Sequence, residues 1–481
     1  MQIRLSFLLA LVSSAACVFA QQPPKGVTEP HLGAGLRNPD GSARPVPPPH
    51  KTTKRILDVT RFGADPIDSA HDDRLSIEAA LNEAKAGDEV YFPNGVYNLN
   101  SNSTKNPGAN ILLKSGVNLR GESEAGVKLI SNYDGGPGKF NFAILRGVDA
   151  NDITVSRMTL TSTWNRKFST NPREMNPDRG GPLYGIAIDG NAGKNERLTF
   201  EHLTVERFAR MGIRLGKGTF DSVIRYCTAL NATDIAGGGS GYGFVIQGQT
   251  HQDNDVNPFL GTNNDTAYNV IEHSKAIGPY MRHGALIQFW AHNNAIRHNV
   301  FSRIVYDAID LHGEDEYLNE IHDNVVTEVT QGAGIGIGNS GAGHDKSGPW
   351  NWIHHNTVTN AKVGLTAEYG TVANVIEDNV FQKSENYDEA YGMNLGSIKN
   401  FIIRRNSIIN NSSKGFIGIR LVRNRAEGSE PSGVVSNTRF ENNIITGNKG
   451  AGARAVVIVE QGNGNVWTGN IIKDNADNTA P

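Results

Sequence analysis

Between Val305 and Asn324 the chain reads VYDAIDLHGEDEYLNEIHDN, which gathers seven carboxylates and two imidazoles among few apolar residues. That mixture is a poor basis for a core segment and a good one for moving protons. An imidazole titrates near neutral pH, and a carboxylate beside it fixes its tautomer and raises its basicity. Upstream, YMRHGALIQ adds Tyr280, Arg282, His283 and Gln288. These are the groups needed to remove a proton next to a carboxylate and to protonate a departing oxygen. Arg282 would neutralise the acid, His283 or His312 would take the proton, and Tyr306 or Tyr280 would supply one.

Such groups act together only if a frame brings them together. From about residue 110 onward, short β-type runs are punctuated by Asn and Gly. Asn recurs five residues apart in NAIRHN, NEIHDN, NWIHHN, NVIEDN, NTRFEN and NVWTGN. The first Asn of successive units stands at 269, 294, 319, 351, 374, 400, 437 and 465, a base period of about 25 residues with insertions. A unit of that length, with three short apolar pairs and no helical period, is one turn of a parallel β-helix. Each turn lays three strands on the turn before it, ~4.8 Å away. The Asn residues then read as scaffold, because stacked amides donate and accept along the axis and Asn tolerates sharp corners.

Taking Ile213/Leu215, Phe244/Ile246, Ala285/Ile287, Ile309/Leu311, Ile335/Ile337, Leu365/Ala367 and Met393/Leu395 as inward pairs predicts two outward columns. One is Arg214, Val245, Leu286, Asp310, Gly336, Thr366 and Asn394. Its neighbour is Gly216, Gln247, Gln288, His312, Gly338, Glu368 and Gly396. Gln247, Gln288, His312 and Glu368 would line one solvent-facing wall, with a groove where Gly336 and Gly338 lack side chains. The same register sets His283 beside Asp307 and Arg282 beside Tyr306. Lys217, Tyr280, Gln247, Gln288, Glu314 and Glu368 are the expected substrate contacts. Asp310 would orient a histidine, and Glu314, Asp315 and Glu368 leave calcium open as a cofactor.

Before the repeats, residues 55–100 read strand, turn, helix, strand. Asp72 or Asp73 would cap the helix, Leu75, Ile77, Ala80, Leu81 and Ala84 would form its apolar face, and Gly87 would follow its end. The helix is expected to plug the open first turn, whose strand edge is otherwise unpaired. The segment RFGADPIDSAHDDRLSIEAALNEAKAGDEVYFPNGVYNL resembles the opening module of the pectate-lyase superfamily of right-handed β-helices. MRHGALIQFWAHNNAIRHN followed by YDAIDLHGEDEYLNEI resembles β-helix polysaccharide lyases such as polysaccharide lyase family 31, whose substrates are glucuronan and alginate. YDAIDLH is also similar to the Asp-Pro-His signature of mannuronan C5-epimerases, with Leu311 in place of Pro and the Tyr one residue further away. The resemblance implies an all-β, right-handed parallel β-helix with an N-terminal capping helix. It also implies proton abstraction at C5 of a uronate, ending in β-elimination or epimerisation. A polygalacturonase-like hydrolase would instead need paired carboxylates on adjacent turns, and Asp310 has Leu286 and Gly336 as its column neighbours.

The opening MQIRLSFLLALVSSAACVFAQQ has the pattern of a secretory signal cleaved near Ala20, and residues 21–54 form a Pro/Gly-rich linker or arm before one domain at 55–481. With 46 Lys and Arg against 49 Asp and Glu, duplex nucleic acid is not an expected partner. No later window is apolar enough to span a membrane. The expected protein is a secreted or periplasmic monomer whose partner is an anionic polysaccharide.

Overall fold

The computed structural model describes residues 29–133, 135–248, 266–313, 315–338, 347–424 and 433–481. The segment expected to be a secretory signal, Glu314 and most of the insertions at 249–266 and 338–351 lie outside the described residues.

The chain is an all-β right-handed parallel β-helix in which the thirty-six strands among the described residues join one continuous ladder. Each turn contributes a strand to each of three stacks. One stack runs through Met211–Leu215, Tyr242–Gln247, His283–Gln288 and Ile309–Leu311. A second runs through Val270–Glu272, Ala295–Arg297, Glu320–His322 and Trp352–His354. The third includes Thr228–Leu230, Lys275–Ile277 and Val300–Ser302. Strands of three residues suffice because every turn pairs with the turns on both sides, and alternate side chains enter the cylinder. The inward pairs read from sequence are paired in that register, and all are fully buried in one core. Each such Ile or Leu contributes about 1.5–3 kcal/mol by leaving water.

The turns between strands are held by asparagine. Asn299 lends Oδ1 to the backbone N–H of Ser274, while its Nδ2 donates to Ile271 O and to Asn324 Oδ1 at 2.9 and 3.0 Å. Asn324, Asn356, Asn379, Asn406, Asn443 and Asn470 continue the same pattern. Two expected members are off by one. Asn400 and Asn437 occupy left-handed corner positions with φ of 62° and 48°, and the register brings Phe401 and Thr438 into line with Asn374 instead. Asn443, not Asn442, fills the second ladder. In Asn-Asn and Asn-X steps, periodicity alone does not tell an inward amide from a corner residue.

The helix Asp73–Glu83 sends Ile77, Ala80, Leu81 and, just past its end, Ala84 into the first turns of the core, closing that end. Asp72 is the N-cap, accepting from Arg74 N at 3.3 Å. Asp73 is buried and accepts from the backbone of Asp65 and Asn98, both at 2.7 Å, tying helix to neighbouring strand. Leu75, expected on the apolar face, is 58% exposed. Gly87 lies beyond Ala84, the residue that caps the helix, and its φ of 92° shapes the turn into the next strand.

Residues 29–54 are laid along the outside of the stack. Glu29 pairs with Arg404 at 2.9 Å, Gly35 N–H donates to Leu318 O at 2.8 Å, and Asn293 Nδ2 donates to Gly33 O at 3.0 Å. Further along, Arg44 makes two 2.6 Å bonds to Asp221 and covers the Tyr268 ring, and His50 meets Asn118 at 2.9 Å. The arm thus runs back from late turns to early ones before the chain enters the helix. Pro and Gly exclude an internal core here but not docking on a preformed surface.

Candidate active site

The first strand stack carries the residues of interest. Its outward column is Arg214, Val245, Leu286, Asp310, Gly336, Thr366 and Asn394, as the inward pattern predicts. The wall is less open than expected. Val245 and Leu286 are fully buried in a second apolar cluster with Tyr184, Met211 and Tyr242, and Asp310 is 0% exposed.

Arg282, His283, Tyr306, Asp310 and His312 come together where this stack meets its preceding corner. Arg282 Nε lies 3.2 Å from His283 Nε2. A guanidinium can only donate, so this imidazole nitrogen accepts and the ring proton sits on Nδ1, which donates to Asp307 O at 3.0 Å. Burial, reinforced by the positive charge of Arg282 and opposed by Asp310, lowers the His283 pKa to about 3. His283 is therefore a neutral ring with both nitrogens in use. Expected as a base on a par with His312, it lies with its two nitrogens against Arg282 and the Asp307 carbonyl.

His312 is different. Its Nδ1 is 2.7 Å from Asp310 Oδ2, and its side chain is 22% exposed while that of Asp310 is wholly buried. Burial pushes the Asp310 carboxyl up most strongly, but His312, His283 and Arg282 together outweigh it and hold the group below the ordinary carboxylate range. An ionised Asp310 holds the proton of His312 on Nδ1 and makes Nε2 the basic atom. Asp310 Oδ1 has no hydrogen-bond partner among the described residues.

Tyr306 lies under Arg282, whose Cζ is 4.5 Å from the ring centroid. Its pKa is raised, by burial first and then by Asp307 and Asp310, so the phenol keeps its proton at neutral pH. Arg282 also donates to Pro172 O at 2.9 Å and Ile235 O at 3.3 Å. Pro172 belongs to residues 163–180, a wall that the sequence did not point to. There Phe168 stacks on Tyr280 at 4.5 Å, so Tyr280 belongs to the wall around Arg282.

The other expected contacts divide. Gln247 and Gln288 are neighbours on adjacent strands, Gln288 on the rung next to His312, and Gln247 accepts from Arg214. Glu368 lies two strands beyond His312 and is held by Thr366, Asn394 and Asn424 at 2.9–3.0 Å, with its pKa raised by burial. Lys217 follows a strand three rungs from Asp310 and makes no side-chain hydrogen bond or ion pair to a described residue. Glu314 lies outside the described residues.

One reading is corrected. The glycine gap is not open: a Cβ on Gly336 would stand 3.1 Å from Asp307 Cγ and 3.2 Å from Asp310 Oδ1, so the absent side chain makes room for two carboxylates. At Gly338 the space is taken by Thr371 and Glu368. Asp307 was legible only as a neighbour of His283, yet it is 1% exposed and accepts from Ala333 N at 2.7 Å. His283, Asp307 and Asp310 lie close enough to suit a metal ion. The hydrogen bonds argue against one, because ligation through Nδ1 would move the ring proton to Nε2, against the Arg282 N–H. No gathered calcium ligands include Glu368 or Asp315 among the described residues.

A family model described as periplasmic copper-binding protein (NosD) matches residues 262–429. No curated protein matches the chain. Among solved structures, the Azotobacter vinelandii mannuronan C-5 epimerase AlgE6 A-module is similar at 16% identity and a TM-score of 0.50, covering 88% of this chain and 99% of that one. The catalytic unit of the thermostable GH87 α-1,3-glucanase from Streptomyces thermodiastaticus is similar at 13% identity and 0.54, covering 91% and 72%. PfbA, a surface adhesin of Streptococcus pneumoniae, is similar at 14% identity and 0.53, covering 83% and 91%. Epimerase, glucanase and adhesin share one fold. At these identities the likeness establishes the β-helix, and function has to be argued from the site.

Proposed function

We propose that this chain is an exported enzyme, acting as a monomer, that cleaves a uronic-acid polysaccharide of the glucuronan, alginate or pectate type by β-elimination. The observation that carries the reading is the convergence of Arg282, Tyr306 and the Asp310–His312 pair at one corner. In this reading Arg282 meets the carboxylate of the sugar and makes its C5 proton more acidic. His312 Nε2 takes that proton, a C4=C5 double bond forms as the C4–O4 bond breaks, and the Tyr306 hydroxyl protonates the departing oxygen. Gln247 and Gln288 hold hydroxyls of the chain on one side of the bond. The resemblance to polysaccharide lyase family 31 belongs to this proposal, and so does export, which rests on the opening segment and is in keeping with the family described as periplasmic. No helix among the described residues is long and apolar enough to cross a membrane.

Epimerisation shares the first step and differs only in returning a proton to C5 from the other face. Hydrolysis fits less well: Asp307 and Asp310 are paired, but at 1% and 0% exposure they sit beneath the surface rather than on either side of a bound sugar. Glucuronan, alginate and polygalacturonate incubated with the chain in heavy water separate the outcomes. Unsaturated-uronate absorbance rising together with reducing ends supports the lyase. Deuterium at C5 without cleavage makes the protein an epimerase, reducing ends without absorbance make it a hydrolase, and inertness toward all three polymers rejects the substrate class.

A further inference from the structure

The second strand stack ends each turn in a left-handed corner residue, and the column reads His202, Tyr226, His273, His298, Asp323, His355, Asp378 and Arg405, with φ between 52° and 55° at His298, Asp323 and His355. His202, Tyr226, His273 and His298 stack nearly parallel at 5.0–5.2 Å. At Asp323 the stack is broken. The ring of His322 turns edge-on to His298, 5.5 Å away at 78°, and stacks on His354 at 4.9 Å. We propose that His298, His322 and Asp323 form a surface site for a divalent transition-metal ion that favours imidazole nitrogen, such as Zn²⁺, Ni²⁺ or Cu²⁺.

Geometry supports this first. One ligating atom from each of the three residues lies within 4.8 Å of the other two, and all three side chains reach solvent, so small rotations close the set on an ion. The hydrogen bonding is also suitable. His322 Nδ1 is 2.7 Å from Asp323 Oδ2, so an ion bound between these two atoms takes the place of the shared proton, and Nε2, which has no partner among the described residues, can carry the ring proton instead. The ring of His298 makes no hydrogen bond to a described residue. His354, held by Glu320 at 3.1 Å, fixes the plane of His322 from behind.

Charge sets this position apart within its own column. Asp378 is closed by two bonds from Arg405 at 2.9 and 2.7 Å. Asp152, at another left-handed corner, is closed in the same way by Arg197. Asp323 has no Arg or Lys partner among the described residues, and the groups around it are His298, His322 and His355. Two nitrogens and one carboxylate suit the borderline divalent ions. Calcium and magnesium, which want oxygen alone, are poorly served.

The test uses the full chain after chelator treatment, titrated with Zn²⁺, Ni²⁺ and Cu²⁺ salts by calorimetry, with copper electron paramagnetic resonance to count ligating nitrogens. His298→Asn and Asp323→Asn are the informative variants, because Asn accepts the left-handed backbone at both positions. His273→Asn, in the same stack but outside the trio, is the control. The expected result is saturable 1:1 binding, weakened about tenfold or more in both variants and unchanged in the control, with one nitrogen lost from the copper signal in His298→Asn. Absence of saturable binding, or equal binding by all four proteins, overturns the proposal. Circular dichroism of each variant separates lost ligation from lost fold.

Discussion

Two columns of polar residues run along the same cylinder and obey opposite rules. In the asparagine ladder each buried amide meets an identical amide above and below, and the donors and acceptors of a residue such as Asn379 are satisfied by Asn356, Asn406 and Ile353 O. In the outward column of the first stack no residue type repeats across Arg214, Val245, Leu286, Asp310, Gly336 and Thr366. Asp310 lies there as a buried carboxylate with one oxygen on His312 and the other without a partner among the described residues. Repetition lets a buried polar group cost little, because the neighbouring turn supplies its partner. A polar group that occurs once in a repeating frame must be stabilised by its own surroundings, and such groups are where chemistry is to be sought.

The widest separation between the columns is expected from His312→Ala. On a uronan turned over as proposed above, kcat/KM should fall by about 10²–10⁴, the usual contribution of a positioned base, while circular dichroism and the urea midpoint stay as they are. Retained turnover would move the site away from this column.

Next comes the acid response of His283. Its folded pKa of about 3 lies below the ordinary value of 6.5, so between those limits the unfolded chain binds a proton that the folded chain does not. This contribution to stability is complete above pH 6.5 and is lost as the pH falls toward 3. It is worth on the order of 3–5 kcal/mol at full protonation. Urea unfolding at pH 7, 5 and 4 should show a steep loss in the wild type and a shallower one in His283→Gln, and equal slopes would exclude a buried neutral ring.

On the scaffold side, Asn379→Ala should cost about 1–3 kcal/mol in urea unfolding, because it strands the amide groups of its neighbours. It should leave kcat/KM unchanged. A loss of activity without a loss of stability would erase the contrast between the columns. The smallest effect is expected from Gly336→Ala, whose new methyl presses on Asp307 and Asp310. About a tenfold fall in kcat with KM little altered is expected from displacing the carboxylate that orients His312.

Much of the scaffold was legible before any coordinates. A period near 25 residues with short apolar pairs leaves few architectures, and alternation along each strand then set which residues point outward. The errors have local causes. Asn400, Asn437 and Asn442 sit one residue from ladder positions, and only the hydrogen bonds tell an inward amide from a corner. Leu75 fits a helical stripe yet faces water, because the helix covers only the end of the cylinder and buries a narrow face.

The sequence by itself determined the repeat, the three-strand turn and the outward placement of Asp310 and His312, since these follow from periodicity and the twofold alternation of a strand. Tertiary structure decided which histidine reaches solvent. His283 and His312 are equivalent as letters. Only packing gives one to Arg282 and Asp307 with both nitrogens engaged, and leaves the other at the surface on a buried carboxylate. Burial and hydrogen-bond direction belong to neighbours brought together from distant parts of the chain, such as Pro172 beside Arg282 and Gly336 beside Asp307, and no local pattern encodes them.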